Sequence, residues 1–118
     1  FLWRVDATAG EFMDAAVTCG VVLESLASGK PLMNALSITN EEYKAQTGSP
    51  LPPILPCSSV EDVERTLINL ERDKEKRLTI GQQGKIWFDN YAGRGLAEAF
   101  LRDFKDTFKQ KTANPEVC

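Results

Sequence analysis

The chain has 118 residues, which is enough for one domain or for part of one. Hydrophobic residues make up 42% of the sequence and charged residues 26%, as in ordinary soluble globular proteins. The net charge of −3 at pH 7 excludes the strongly basic surface of a protein that binds nucleic acid or an anionic membrane. No apolar run approaches the roughly 20 residues that a membrane-spanning helix needs.

Cysteine and histidine usage narrows the chemistry further. The cysteines Cys19, Cys57 and Cys118 are far apart and odd in number, and there is no histidine. We therefore expect no metal site and no disulfide framework, and a nucleophile activated by histidine is excluded. Cysteines in such a pattern favour a reducing, cytoplasmic location. The first ten residues, FLWRVDATAG, do not form a signal peptide and lack an initiator Met, so we expect the sequence to begin inside a longer reading frame.

The first nineteen residues are predicted to hold two short strands. Phe1–Val5 is apolar and aromatic, as in a strand, and Asp6–Gly10 is predicted to be a loop. Glu11–Ala16 is expected to form a single helical turn. Val17–Cys19 is then predicted to be a short buried strand.

The next segment has the pattern of a helix followed by a strand. The helix is predicted to run from Gly20 or Val21 to Ser28, and Gly29 supplies a left-handed C-terminal position. Pro31 prevents continuation of the helix, and Leu32–Leu36 follows as a strand. The apolar face of the helix is formed by Val22, Leu23, Leu26 and Ala27. This strand–helix–strand order predicts a parallel sheet.

A polar segment and a proline-rich segment come next. Thr39 or Asn40 is predicted to cap a short helix that includes Glu41, Glu42 and Tyr43. The prolines of residues 48–56 favour an extended loop or edge segment over a central strand, with Ile54 and Leu55 pointing inward.

The C-terminal half is predicted to be helical. Ser58 and Glu61 form a capping box for an amphipathic helix that ends near Arg72. Its apolar positions are Val60, Val63, Leu67 and Leu70. The next helix presents Leu78, Ile80, Ile86, Trp87 and Tyr91, and its glycines Gly81 and Gly84 allow another element to approach closely. Gly93 and Gly95 interrupt it, and a last helix, Leu96–Lys109, carries Phe100, Leu101, Phe104 and Phe108.

These elements predict an α/β fold, with a partial Rossmann-like parallel sheet and a helical C-terminal cap. We expect residues 1–118 to form a single partial α/β domain. Strand–helix units occupy residues 1–57 and the C-terminal helices residues 58–111. Residues 112–118 are expected to be a frayed tail.

The start of the first long helix is the strongest candidate for a binding site. A helix N-terminus offers N–H groups and a positive dipole end to a phosphate, here through Gly20, Val21 and Val22. Glu24 follows, and its two carboxylate oxygens can accept hydrogen bonds from both hydroxyls of a ribose. Structural explanations also fit both features. The helix dipole favours Glu24 by itself, and Gly20 suits a tight strand-to-helix turn.

The run CGVVLESLASGKPLM resembles a known signature. It is similar to E-G-F-G-x-x-x-x-E-A-M-A-x-G-x-P-V-I, from the C-terminal nucleotide-sugar-binding domain of retaining GT-B glycosyltransferases. Glu24, Ala27, Gly29 and Pro31 match that signature. The helices that follow look like the closing helices of the same domain. The resemblance extends from about Glu11 to Phe108.

The resemblance implies a sugar nucleotide as donor substrate, with no other cofactor and no metal. Glu24 matches the second Glu of the family's E-x(7)-E pair, which binds the nucleotide ribose. The segment Cys19-Gly20-Val21-Val22 matches the loop near the diphosphate. The chain departs from the family at Ala16, where the first Glu is expected and where Asp14 is the nearest carboxylate. The basic residues that grip the diphosphate in the family belong to earlier strands, which we expect this chain to lack.

Two functions follow as expectations. The first is the C-terminal part of a glycosyltransferase that binds the nucleotide of its donor. The family's site lies between two domains, so we expect a missing N-terminal domain, no catalytic residue here and no catalysis by this chain alone. The alternative is a non-enzymatic interaction or self-associating module derived from such a domain. Its homodimer would form through the aromatic helices between Trp87 and Phe108.

Overall fold

The computed structural model describes residues 5–10 and 20–113 of the chain. Within these residues three short strands alternate with helices and three longer helices follow. The elements are β1 (Thr8–Ala9), α1 (Gly20–Ala27), β2 (Leu32–Asn34), α2 (Asn40–Thr47), β3 (Leu55–Pro56), α3 (Val60–Arg72), α4 (Lys74–Tyr91) and α5 (Arg94–Ala113).

The strands form one parallel sheet in the order β1-β2-β3. Thr8 pairs with Leu32, and Met33 pairs with Leu55. The predicted mixed α/β class with a parallel sheet is confirmed at this level. The middle strand β2 is buried along its whole length, because helices and neighbouring strands cover it.

The prediction of a loop at Asp6–Gly10 is wrong, because Thr8 and Ala9 form β1. The backbone N–H of Thr8 donates to Pro31 at 2.9 Å, and that of Gly10 donates to Met33 at 2.8 Å. Pairing with an apolar strand imposes the extended conformation, although polar and small residues dominate the local sequence. Most of the predicted strand Phe1–Val5, and all of residues 11–19 with their predicted turn and strand, lie outside the described residues.

Helix α1 has the predicted apolar face and the predicted end. Val22 and Leu26 are buried. Gly29 has a φ of 73°, in the left-handed region. Its N–H donates to Leu26, and the N–H of Lys30 donates to Ser25, which satisfies carbonyls at the end of the helix.

The two possible caps of α2 have separate roles. Thr39 is the N-cap and forms a capping box with Glu42. The Asn40 side chain accepts instead from the N–H of Leu51, at 2.9 Å. The proline-rich segment then supplies β3 at the edge of the described sheet, as predicted, with Ile54 buried and Leu55 half-buried.

The predicted capping box of α3 is wrong by one residue. Ser59, not Ser58, caps the helix by accepting from the N–H of Asp62. The Asp62 carboxylate accepts from both the N–H and the hydroxyl of Ser58, each at 2.9 Å. The helix begins at Val60, so Asp62 takes the position that was assigned to Glu61.

Close packing of α4 on α1 depends on the two predicted glycines. A Cβ added at Gly81 would lie 2.1 Å from the Gly29 carbonyl oxygen. One added at Gly84 would lie 3.0 Å from a Leu26 methyl carbon. Trp87 on the same helix is buried, and its Nε1–H donates to the Pro50 carbonyl at 2.7 Å. The core cluster consists of Val22, Leu26, Leu32, Tyr43, Ile54 and Trp87.

Several apolar residues of the C-terminal helices lie at the surface. The apolar faces predicted for α3 and α4 are only partly buried, since Val60, Leu67, Leu78 and Ile86 are exposed. Gly93 lies in the break between α4 and α5, but Gly95 belongs to α5 and does not interrupt a helix. None of the helices in residues 20–113 combines the length and apolar character of a membrane span.

Candidate functional site

The topology places the start of α1 at the carboxyl edge of the sheet. Strands β1 and β2 run parallel, and α1 connects them. The chain therefore returns from the carboxyl end of β1 to the amino end of β2, and α1 is the described helix of this return. The described start of α1 consequently lies toward the edge where ligands bind in open α/β sheets.

Gly20, the first residue of α1, is exposed and has open space around it. A Cβ added there would meet no heavy atom of the described residues within 4 Å, apart from its chain neighbours and its own helix backbone. Positive φ angles occur among the described glycines only at Gly29 and Gly48. A tight turn in the left-handed region therefore does not explain the glycine.

Val21 and Val22 have different environments. The Val21 side chain is 49% exposed, whereas that of Val22 is fully buried in the core. Val22 can therefore offer a ligand only its backbone N–H. The first four N–H groups of any α-helix have no acceptor within the helix, and the residues that precede Gly20, 11–19, lie outside the described part of the chain.

Glu24 lies one turn beyond Gly20 and is exposed. Residues four apart share a helix face, and four residues advance about 6 Å along the axis. Gly20 and Glu24 thus lie on one accessible face of α1. Glu24 lies outside the first turn of α1, where interaction with the helix dipole is strongest. The dipole alone is therefore a weaker explanation for it than the sequence suggests.

Asn34 is a polar residue that sequence reasoning missed. It ends β2, its side chain is fully buried, and its Nδ2 donates to the Ala35 carbonyl at 2.8 Å. Its Oδ1 is buried and has no hydrogen-bond donor among the residues that the structure describes. A Cβ at Gly10, which follows β1, would lie 2.3 Å from this oxygen. The polar end of the otherwise apolar run LMNAL was the signal that could have identified Asn34.

Cys57 and the groups with shifted pKa values take part in the packing and helix capping of the fold. Cys57 is buried, and its Sγ lies 3.6 Å from the hydroxyl oxygen of Thr66. Burial raises the pKa of the Tyr43 phenol, which is part of the core. Hydrogen bonds from the backbone and side chain of Ser58 lower the pKa of Asp62. None of these groups is among the predicted site residues.

The described residues bring together Gly20, the amides of Val21 and Val22, and Glu24, because all belong to one short helix. Cys19, Asp14 and Ala16 lie outside the described residues. In the part of the chain that the structure describes, no cluster of His, Cys, Asp or Glu is arranged to hold a metal ion. The exposed Glu24 carboxylate can accept hydrogen bonds from hydroxyl groups.

Comparison of the chain with models of known protein families, with curated proteins and with solved structures finds no match.

Proposed function

We propose that this chain is the nucleotide-binding, C-terminal part of a GT-B glycosyltransferase, with a partial Rossmann-like sheet. One observation carries the proposal: Gly20, at the described start of α1, and the exposed Glu24 lie one turn apart, on a helix that precedes the middle strand of a parallel sheet. The sequence signature around Glu24, Gly29 and Pro31 supports the same assignment.

Each part of the ligand has a chemical counterpart in α1. The first-turn N–H groups of Gly20, Val21 and Val22 donate to the diphosphate. The Glu24 carboxylate accepts from the two ribose hydroxyls, since each of its oxygens can accept one of them. The axial spacing of about 6 Å between Gly20 and Glu24 suits neighbouring groups of one nucleotide.

The proposal assigns no catalytic residue to this chain. Glycosyl transfer also needs groups that contact the donor sugar, and Ala16 stands where the family has a Glu. A second, N-terminal domain supplies the acceptor site in the proposed enzyme. The free, buried Cys57 is compatible with a reducing, cytoplasmic setting.

Amide NMR during a nucleotide titration tests the proposal. UDP, GDP and a sugar nucleotide are added separately to the ¹⁵N-labelled chain. We expect the largest shift changes at residues 20–24, with small changes along α5. The control ligand is a 2′,3′-dideoxy nucleoside diphosphate, which keeps the phosphates but lacks the two ribose hydroxyls. Unchanged shifts at residues 20–24 with millimolar ligand would contradict nucleotide binding.

A second function, self-association, is favoured by a different observation. Large apolar side chains of α5 are exposed, and Phe100 is the most exposed of them, at 67%. Monomeric soluble proteins rarely expose large contiguous apolar patches. This chain would then act as an interaction module, with or without nucleotide.

A further inference from the structure

Helix α5 has two dissimilar sides. Gly95 and Ala99 are half-buried and, at about 100° per residue, lie on the same side of the helix. Five large apolar residues lie on the other side, within about 140° of one another, and form what we call the α5 apolar face. They are exposed by 54–67%: Leu96, Phe100, Leu101, Phe104 and Phe108.

The α5 apolar face is large enough to form most of an interface. An aromatic side chain has 150–250 Å² to bury, so five residues with more than half of their surface exposed offer on the order of 500 Å². A stable interface needs about 800 Å² per partner, including its polar rim. The face thus supplies the apolar centre of such an interface, and the charged residues beside it supply the rim.

We infer that the occupant of this face is the same helix of a second copy, in antiparallel orientation, with the two-fold axis near residue 102. The inference rests on the self-association proposed above and adds its geometry. In this register Leu96 lies opposite Phe108 of the second copy, and Phe100 lies opposite Phe104. The two-fold axis generates each of these contacts twice, and Leu101 lies near Leu101 of the second copy, close to the axis.

Charges beside the apolar face fit the same register. Glu98 and Lys105 lie on one flank of the face, about 20° apart around the helix. In an antiparallel pair each flank faces the same flank of the second copy. Glu98 therefore lies near Lys105 of the second copy, and this contact occurs twice per dimer. Glu98 also forms an exposed ion pair with Arg94, at 2.9 Å. Such surface ion pairs contribute little to stability. Glu98 can therefore leave Arg94 and pair with Lys105 of the second copy at little cost in free energy.

The other flank opposes a parallel arrangement. It carries Asp103, and a parallel pair would bring the Glu98 flank of one copy against the Asp103 flank of the other. Like charges would then face each other, at a cost in stability. The antiparallel pair instead brings Asp103 near Asp103 of the second copy only once. It also gains two contacts between Glu98 and Lys105.

Charge reversal with rescue, measured by sedimentation equilibrium on the full chain, tests this register. Glu98→Lys and Lys105→Glu should each raise the dimer dissociation constant about tenfold or more. The double variant should return to within about threefold of the parent. The matched controls carry the same charge changes on the side of α5 that faces away from the α5 apolar face: Asp106→Lys for the first variant and Arg102→Glu for the second. They should change the constant less than threefold.

The outcomes separate the geometry from the self-association itself. A monomer at all concentrations, with folding verified by circular dichroism, overturns both. A dimer that Phe104→Glu dissociates, but in which the charge reversals show no rescue, overturns the antiparallel register and leaves self-association standing. All substituted side chains are exposed on α5, so these variants should keep the fold of the core.

Discussion

At the scale of single residues, glycine has a different role at each position. Gly29 takes a left-handed φ that ends α1, and Gly81 lies against the Gly29 carbonyl. The sequence predicted both roles, because a Gly before a Pro and a Gly-x-x-Gly pair within an apolar helix have local physical meanings. The contact between these two glycines depends on tertiary packing, so no local sequence pattern predicts it.

Adding a methyl group at Gly81 should be costly. Gly81→Ala places its Cβ 2.1 Å from the Gly29 carbonyl oxygen. This oxygen belongs to the backbone and cannot rotate away, so α4 must move away from α1. We expect a loss of about 1–3 kcal/mol in the free energy of unfolding. Urea denaturation followed by circular dichroism measures it.

The matched control is Gly20→Ala, whose new methyl group meets nothing within 4 Å. We expect it to be neutral or slightly stabilising, because Ala favours helix more than Gly does. Equal losses for the two variants would show that the α1–α4 contact is not as close as described.

Asp62 makes stability depend on pH. Its carboxylate accepts hydrogen bonds from Ser58 in the folded state, so its folded pKa lies below the ordinary value of 3.8. Its stabilising contribution is therefore complete above pH 3.8 and is lost as the pH falls through the lower folded pKa. The stability difference between the parent and Asp62→Asn should be constant near neutral pH and shrink in acid.

Thermal unfolding of both proteins from pH 7 to pH 3 measures this difference. Glu61→Gln is the control, since the cap involves Asp62 and not Glu61. If Glu61→Gln showed the larger acid-dependent difference, the capping box inferred from the sequence alone would be the correct one.

At the scale of elements, helices were more predictable than strands. The helix starting near Gly20 and the one ending at Arg72 follow from apolar periodicity and end signals, which act within a few residues. Strand β1 has only two residues, and its extended form depends on pairing with β2. Such pairing is non-local, so the short polar segment around Thr8 was predicted as a loop.

Exposure of the apolar helix faces was the other feature that sequence did not determine. Helical spacing identifies a face, but not what covers it. Trp87 and Leu70 are buried, whereas Leu78 and Phe104 on equally periodic helices are exposed. The difference depends on whether another element covers that part of the helix: Trp87 packs in the core cluster, and α3, which carries Leu70, contacts α4.

At the scale of the whole molecule, the chain is elongated. Its radius of gyration is 18.0 Å, and its longest dimension is 63 Å. A compact domain of this length would have a radius of gyration of about 13 Å. A small α/β body with a helix whose apolar face is exposed is consistent with a protein that completes its fold or its site with another polypeptide.

For the candidate site, the structure bears only on where the predicted residues lie. Gly20, Val21, Val22 and Glu24 are consecutive or nearly so, and one helix brings them together. Asn34 and Gly10 were missed, because only strand pairing places the end of β2 beside the end of β1. Local signatures find groups within one element, whereas groups shared between elements require the topology.

The most direct test of the central claim is a comparison of nucleotide affinities at Glu24. Calorimetry would measure binding of UDP and of 2′,3′-dideoxy-UDP to the parent, to Glu24→Gln and to the control Glu41→Gln, which alters an exposed carboxylate of α2. If Glu24 binds the ribose, removing the hydroxyls should weaken binding to the parent and to Glu41→Gln about tenfold or more, as expected for hydrogen bonds to a charged group. Removing them should matter much less for Glu24→Gln. Equal effects of hydroxyl removal in all three proteins, or no binding of UDP to the parent, would contradict the account.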